Sequence, residues 1–297
     1  MKWFFAMTQQ ALTQDLNKPK GLRKGFADCI RVAVNSAKEK TSLQPHMIFD
    51  GAECDFTREM EACGVKVIFH RLSWYDRLQA AQKQSKPEWD TYMEKAAGSF
   101  LRLEIPLLED EDQYVLYTDC DILFLNGVDL SACRPETFAV AGQFSEKNSV
   151  TDINAGVTLL NLDRLREDLP AMIDFMCQNF SEISGFDQEL LRGFYHKNWS
   201  RLDPKYNWKP YWGINKDAVI LHFYAGKPDT GCLLLQDPSY GAGGEALEEA
   251  RYWFFQNPEG YAYYLPLWER YRTQHTIAND DTYLEEEIAL FDAARHS

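Results

Sequence analysis

Two aspartates separated by one residue interrupt a strongly apolar run near the middle of the chain. Segment 114–125 reads YVLYTDCDILFL, so hydrophobic residues flank Asp119 and Asp121 on both sides. Such a run is typical of a buried strand in a parallel sheet, and open α/β sheets bind their ligands at strand ends. Two neighbouring carboxylates are costly to bury without a counter-charge, although an Asp-X-Asp triplet can also be a solvated loop end. A divalent cation, Mg²⁺ or Mn²⁺, suits these hard oxygen ligands and could be shared with a diphosphate-bearing substrate.

Two polar residues mark the ends of later apolar runs. Asn154 precedes the predicted strand 156–161, and His222 directly follows the predicted strand 218–221. A lone histidine after a strand is more often structural than a ligand. If both strands lie in the same sheet as the acidic strand, however, their ends are close together and His222 can complete the metal shell. An imidazole ligand favours Mn²⁺ over Mg²⁺.

Composition limits the classes of protein that the chain can belong to. Of its 297 residues, 45% are hydrophobic and 14% aromatic, as in a folded globular protein. The net charge of −14 argues against binding to nucleic acid or to anionic lipid through overall charge. The seven cysteines form no C-x-x-C pair, so reduced thiols and a cytoplasmic location are expected. No stretch approaches the ~20 apolar residues of a bilayer span, which leaves at most a peripheral membrane contact.

Strand and helix patterns alternate through most of the chain, which predicts a parallel sheet with right-handed crossovers. The predicted strands are 3–8, 46–49, 65–69, 114–118, 138–141, 156–161 and 218–221. The predicted helices are 25–40, 56–63, 89–108, 163–180 (restarted at Pro170) and 187–194, with a polar loop at 9–24. Beyond residue 231 the alternation stops, and Leu284, Ile288 and Phe291 mark an amphipathic helix. We therefore predict a catalytic domain at 1–235 and a helical extension at 236–297 packed on it, with the acceptor side as its candidate position.

Five segments, taken in order, resemble glycosyltransferase family 8, the retaining sugar-nucleotide enzymes of the GT-A fold. They are IFDG at 48–51, SFLRL at 99–103, VLYTDCDIL at 115–123, NAGVTLLNL at 154–162 and FDQ at 186–188. The resemblance implies a Rossmann-like, mostly parallel central sheet with flanking helices, to which the helical C-terminal addition is joined.

The resemblance also implies roles for individual residues. Asp119, Asp121 and His222 would bind Mn²⁺, with Mg²⁺ as the alternative, and Asp119 would also touch the ribose. Asp187 and Gln188 would lie on the reactive face of the donor sugar as the catalytic residues. The other donor-binding positions implied are Thr8 and Gln9 near the base, Asp50, Arg102, Asn154, Ala155 and Lys227.

The chain departs from the family pattern after its histidine. The family has a glycine three residues on and Lys-Pro-Trp from the sixth, whereas here Gly226 is fourth, Lys227 is fifth and no tryptophan follows Pro228. The segment after the first strand also lacks the usual tyrosine and serine pattern. Aromatic segment 202–212 could stack on sugars or bases, or could simply cover the core.

The resulting hypothesis is transfer of a sugar from a nucleotide sugar, a UDP-sugar, to a saccharide or lipid-linked saccharide with retention, in glycan or polysaccharide biosynthesis. One alternative is a haloacid-dehalogenase-like phosphatase with Asp119 as its nucleophile, although Leu123 stands where that class usually has Thr or Val. The other is a non-catalytic sugar-nucleotide-binding protein.

Overall fold

A seven-stranded sheet forms the centre of the fold. The structure is a computed structural model that describes residues 1–16, 25–89, 91–142, 153–183 and 186–273. The strands are β1 (Lys2–Thr8), β2 (Gln44–Asp50), β3 (Lys66–Phe69), β4 (Tyr114–Thr118), β5 (Ile122–Phe124), β6 (Phe138–Ala141), β7 (Asn154–Asn161), β8 (Ser200–Arg201) and β9 (Ile220–His222). The main sheet has the order β3-β2-β1-β4-β7-β6-β8, and β5 and β9 form a separate two-stranded sheet.

Parallel pairing predominates in the main sheet. Strands β3, β2, β1 and β4 pair in parallel with one another, and so do β6 and β8. Strand β7 runs antiparallel to both of its neighbours, β4 and β6. The predicted α/β fold with a mostly parallel central sheet is therefore confirmed.

Helices cover both faces of the sheet. They are α1 (Gln9–Leu16), α2 (Phe26–Lys40), α3 (Asp55–Ala62), α4 (Tyr75–Ser85), α5 (Tyr92–Phe100), α6 (Ile105–Leu108), α7 (Leu162–Gln178), α8 (Asp187–Tyr195), α9 (Pro228–Gln236), α10 (Glu245–Gln256) and α11 (Pro258–Thr273). Successive side chains of a strand point to opposite faces, so Phe4 of β1 packs under α4, α5, α7 and α8. Its neighbours Trp3 and Phe5 pack on the other face, under α2 and α3.

Three predictions of secondary structure were wrong. Residues 9–16 form α1 rather than a loop, and the Thr8 hydroxyl accepts a hydrogen bond from Ala11 N at 3.2 Å at its start. The predicted helix 89–108 is broken by a 3-10 turn at Leu101–Glu104, after which α6 begins at Ile105 with Pro106 in its first turn. Pro170 lies inside a continuous α7 and does not restart it. Residues 17–24, the rest of the predicted loop, lie outside the described residues.

The C-terminal helices pack on the body of the chain through a third hydrophobic cluster. Tyr261, Tyr264 and Trp268 of α11 are buried in it together with Leu221 of β9 and Val32 of α2. The division at residue 235 remains a prediction. The amphipathic helix predicted around residues 284–291 lies outside the described residues. Within the described part of the chain, every helix is too short or too polar to cross a membrane.

Candidate active site

The two-stranded sheet brings the predicted metal ligands together. Strand β5 begins directly after Asp121 and pairs antiparallel with β9, so that Ile122 lies opposite His222. The expectation that His222 ends a strand of the main sheet was wrong, because β9 pairs with β5 instead. One ligand atom from each of Asp119, Asp121 and His222 lies within 4.8 Å of the others. A group of this kind could hold a metal ion.

The ligand atoms present a donor set of two carboxylates and one imidazole. Nε2 of His222 lies 3.4 Å from Oδ1 of Asp121 and 3.7 Å from Oδ2 of Asp119. Nδ1 of His222 lies 3.0 Å from Oδ1 of Asn207, which can only accept, so Nδ1 donates to it and Nε2 is the ring nitrogen that faces the carboxylates. Burial alone would raise the pKa of Asp121, but the charges of Lys227 and His222 outweigh it and hold that pKa well below its usual range. This chemistry fits a divalent cation.

Gly156 of β7 passes directly beneath these ligands. A Cβ atom at this position would lie 2.2 Å from Cε1 of His222 and 2.7 Å from Oδ2 of Asp119. The Gly156 carbonyl also accepts a hydrogen bond from Asp119 N at 2.7 Å, which fixes the backbone where the acidic segment begins. The site therefore requires a residue without a side chain at position 156.

Replacing Gly156 with alanine is expected to displace His222 and Asp119, because neither can move without breaking its other contacts. We expect a loss of about 1–3 kcal/mol in the free energy of unfolding and weaker Mn²⁺ binding by the folded protein. Urea denaturation and calorimetric titration with Mn²⁺ measure the two effects. Gly127→Ala is the matched control, since a Cβ there would meet only the Lys40 carbonyl at 3.7 Å. Equal effects of both substitutions would contradict this account.

Arg102 connects the acidic segment to α8. Its Nη2 donates to Oδ1 of Asp119 at 2.7 Å, and its Nε forms an ion pair with Oδ2 of Asp187 at 2.9 Å. Nη1 donates to the Ala155 carbonyl, and the guanidinium lies 4.2 Å from the centre of the Tyr117 ring. The side chain is only 5% exposed. Arg102 is therefore a buried cation shared by two carboxylates.

Asp187 and Gln188 begin α8 beside Arg102. Burial raises the pKa of Asp187 to about 6, with Arg102 lowering it and Asp119 raising it further. Oε1 of Gln188 accepts a hydrogen bond from Ala155 N at 3.0 Å, which leaves its amide nitrogen as the donor end. The two side chains thus offer the cavity a carboxyl group that titrates near neutrality and an amide held by the backbone of β7.

The buried carboxyl group of Asp187 predicts a pH-dependent stability difference. Its pKa of about 6 lies above the ordinary value of 3.8, so the folded chain holds this proton more tightly than the unfolded chain. Its contribution to stability is therefore present at low pH and is lost as the pH rises through about 6. In metal-free protein, we expect the free energy of unfolding of the wild type to fall by about 3 kcal/mol relative to that of Asp187→Asn between about pH 4 and 7. Urea denaturation across this range measures the difference, and a difference that did not change with pH would contradict the prediction.

A cavity of about 550 Å³ adjoins the ligand cluster. The predicted site residues that line it are Thr8, Arg102, Asp119, Asp121, Asn154, Ala155, Asp187, Gln188 and Lys227. His222 lies behind this wall and is 1% exposed. Gln9 and Asp50 lie outside the lining that the described residues form. Oε1 of Gln9 instead accepts a hydrogen bond from Ala52 N at 2.9 Å, at the turn after β2.

Sequence reasoning did not identify several residues of this site. Phe26, Tyr224 and Glu189 also line the cavity, and Asn207 contacts both His222 and Asn154. In the sequence, Phe26 is an apolar position of the predicted helix 25–40. The signal for Asn207 is its place in segment 202–212, where polar and aromatic residues are interleaved.

The segment after His222 has an unusual backbone conformation. Ala225, third after the histidine and in the position where the family has glycine, has a positive φ of 63°. A Cβ at the neighbouring Gly226 would lie 2.9 Å from the hydroxyl of Tyr261. From this turn, Nζ of Lys227 forms an ion pair with Oδ2 of Asp121. Ala225 thus adopts the left-handed conformation that glycine usually takes, and Lys227, the fifth residue after His222, reaches the ligand cluster.

Replacing Ala225 with glycine is expected to stabilise the protein, because a left-handed conformation costs a residue with a Cβ about 1 kcal/mol. We expect the free energy of unfolding to rise by about that amount. Chemical denaturation measures it, with Ala242→Gly as the control, since Ala242 is an exposed turn residue without a positive φ. A gain no larger than that of the control would show that the turn is unstrained.

Part of the sequence matches a known glycosyltransferase. No protein-family model matches the chain. A stretch of 114 residues is 30% identical to glycosyltransferase GlyB of Streptococcus pneumoniae, and it covers 37% of this chain and 28% of GlyB. The chain therefore matches less than a third of the length of that relative.

Solved glycosyltransferases share the architecture at low sequence identity. The galactosyltransferase LgtC, solved with donor and acceptor sugar analogues, superposes with a TM-score of 0.54 at 16% identity over 84% of this chain and 95% of LgtC. Glycosyltransferase GlyE of Streptococcus pneumoniae gives 0.54 at 16% identity, over 91% of this chain and 63% of GlyE. Mouse xyloside xylosyltransferase 1 gives 0.52 at 16% identity, over 75% of this chain and 98% of that protein. The chain has the GT-A-like fold of these enzymes.

Proposed function

We propose that the chain is a retaining glycosyltransferase of family 8 that uses Mn²⁺ and a UDP-sugar and transfers the sugar to a hydroxyl group. The observation that carries the proposal is the convergence of Asp119, Asp121 and His222 at the wall of a cavity of about 550 Å³. The fold and the partial match to GlyB support it. Mg²⁺ is the alternative cation, and the imidazole ligand favours Mn²⁺.

The residues around the cavity suit the separation of charge that glycosyl transfer requires. Asp119, Asp121 and His222 would hold the cation, which would neutralise the diphosphate as the leaving group. Lys227 adds an ammonium group on the same side and can stabilise the departing phosphate electrostatically. Arg102 holds Asp119 in place through a 2.7 Å hydrogen bond, so this carboxylate does not have to reorganise when the donor binds.

Retention of configuration is compatible with two routes. Asp187 or Gln188 could stabilise or briefly trap the sugar cation from below. Alternatively, the acceptor could attack from the front face with assistance from the leaving phosphate. In both routes Asn154 and Ala155 would hold the donor sugar, and Thr8, at the end of β1, would contact the base. Gln9 and Asp50 are proposed to contribute from outside the cavity wall.

The fold disfavours the phosphatase alternative, because the solved structures that share it are glycosyltransferases. Leu123 also stands where the phosphatase class usually has Thr or Val. The intact set of three ligands likewise disfavours a protein that binds sugar nucleotides without catalysis.

The acceptor is proposed to be a saccharide or a lipid-linked saccharide. The acidic charge of the chain predicts that any contact with a membrane is weak or mediated by a partner. The cytoplasmic location is proposed from the cysteines, all seven of which are free thiols. Sedimentation with anionic vesicles tests the predicted weakness of the membrane contact, and tight binding would contradict it.

The proposed function is tested by thermal stabilisation with a panel of nucleotide sugars, with and without Mn²⁺. A ligand that binds the folded state raises the melting temperature by mass action. We expect UDP-sugars to stabilise the protein only when Mn²⁺ is present, and the best of them to be hydrolysed slowly without acceptor. If the protein hydrolysed phosphate esters and responded to no nucleotide sugar, the proposal would be wrong.

A further inference from the structure

We propose that Asn207 is a positioning residue that joins the metal ligand His222 to Asn154. The proposal rests on the proposed function for two points, the cation held by His222 and the role of Asn154 as a donor-sugar contact. Asn207 is fully buried and touches both residues through one amide group. An amide can serve two different elements at once because its oxygen accepts and its nitrogen donates.

The main chain holds Asn207 against the strand that carries His222. Asn207 ends the 3-10 turn Pro204–Asn207, and Trp208 then pairs with β9. Trp208 N donates to Ile220 O at 2.9 Å, and His222 N donates to Trp208 O at 2.7 Å. Nζ of Lys209, also fully buried, donates to the Asn207 carbonyl at 2.8 Å. These hydrogen bonds fix the backbone around Asn207, which keeps its side-chain amide beside His222.

The oxygen of this amide fixes the orientation of the His222 ring. Oδ1 of Asn207 lies 3.0 Å from Nδ1 of the imidazole and can only accept, so Nδ1 must donate. Nε2 is then the ring nitrogen that faces the ligand cluster, 3.4 Å from Oδ1 of Asp121. Outer-shell partners of this type orient a ligating imidazole, and their loss typically weakens metal binding by about 10- to 100-fold.

The nitrogen of the same amide sets the polarity of Asn154. Nδ2 of Asn207 donates to Oδ1 of Asn154 at 2.8 Å and reaches the Asn154 carbonyl at 3.3 Å. The oxygen of the Asn154 amide is thereby occupied, and no described residue accepts from its NH₂ group. Because Asn154 lines the cavity, it presents a hydrogen-bond donor there, which suits a hydroxyl or phosphate oxygen of the donor sugar.

Two substitutions separate the two ends of the link. Asn207→Leu removes both contacts. Asn207→Asp keeps an acceptor for His222 but cannot donate to Asn154, which must turn its amide and direct its oxygen at the cavity. Asn161→Leu is the matched control, since Asn161 is a buried asparagine whose Nδ2 donates to the carbonyls of Pro135 and Glu136.

Three measurements read out the effects. NMR of the histidine rings in metal-free protein reports the hydrogen-bonded proton on Nδ1 of His222, calorimetry with Mn²⁺ alone reports cation affinity, and titration with the most stabilising nucleotide sugar reports donor affinity. Asn207→Leu should lose the hydrogen-bonded Nδ1 proton of His222 and bind Mn²⁺ about 10- to 100-fold more weakly. Asn207→Asp should keep that proton and the Mn²⁺ affinity but bind the nucleotide sugar about tenfold more weakly.

The outcomes distinguish this proposal from the proposed function. Wild-type affinity for Mn²⁺ in Asn207→Leu, or an equal loss in Asn161→Leu, would overturn the link to His222. Equal losses of Mn²⁺ affinity in both Asn207 variants would overturn the separation of the two ends. If no nucleotide sugar binds the wild type, the proposed function fails, whereas the NMR and Mn²⁺ measurements still decide the role of Asn207 at His222.

Discussion

Replacing Asp121 with asparagine is expected to abolish Mn²⁺-dependent binding of the nucleotide sugar and to reduce sugar transfer about a thousandfold. A metal ion that stabilises a leaving diphosphate lowers the activation barrier by several kcal/mol. Each 1.4 kcal/mol corresponds to about a factor of ten in the rate. Asp121 is 1% exposed and faces both His222 and Lys227, so neither water nor a neighbouring carboxylate can readily replace it. Calorimetric titration with Mn²⁺ and a radiolabelled transfer assay measure the two losses.

The matched control for this prediction is Asp129→Asn. Asp129 is an exposed aspartate eight positions further on, where it accepts hydrogen bonds from the backbone and hydroxyl of Ser131. We expect this variant to bind Mn²⁺ and to turn over like the wild type. Unchanged turnover after replacing both Asp119 and Asp121 with alanine would refute the proposed mechanism.

Replacing Arg102 with methionine is expected to destabilise the protein by about 3–5 kcal/mol, because it removes the counter-charge of a buried carboxylate and leaves Asp187 without compensation. Asp187 is 7% exposed, and its ion pair with Arg102 spans 2.9 Å. Asp119 would lose its 2.7 Å hydrogen bond at the same time, so donor binding should also weaken. Urea denaturation and donor titration measure the two effects.

Two further variants give this prediction its controls. Arg102→Met combined with Asp187→Asn should recover most of the stability, since the uncompensated charge is then removed. Arg77→Met breaks a 2.6 Å ion pair with Asp174 in which both side chains are 55% exposed, and should cost at most about 1 kcal/mol. If the double variant were no more stable than Arg102→Met, the cost would not come from the charge on Asp187.

The alternation of hydrophobic runs was sufficient to predict six of the seven strands of the main sheet, because central strands such as β4 and β6 are buried on both faces. The two-residue strand β8 and the antiparallel direction of β7 were not predicted. The pairing of β5 with β9 was not predictable, since the two three-residue strands are nearly 100 positions apart and carry no turn signal between them. The helix break at Leu101–Glu104 was also missed, although Pro106 marks its end. Local patterns thus indicated where elements lie but not which distant strands meet.

The candidate site shows the same division between local and distant information. Asp119, Asp121 and His222 stood out because polar residues ended apolar strands, and the structure brings them together. Asn207 gave no comparable signal, since its role depends on contacts with His222 and Asn154 that only the folded chain creates. Buried polar residues of this kind are recognised by their partners rather than by their sequence neighbours.

The central claim is that one divalent cation is shared by Asp119, Asp121 and His222 at the wall of the cavity. Pulsed electron paramagnetic resonance of Mn²⁺ bound to the protein tests it most directly, because the spectrum reports nitrogen nuclei coordinated to the metal. We predict modulation from a single imidazole nitrogen in the wild type, its disappearance in His222→Ala, and coupling to phosphorus when UDP is added. Mn²⁺ bound without a nitrogen signal, or with the same signal in His222→Ala, would contradict the account.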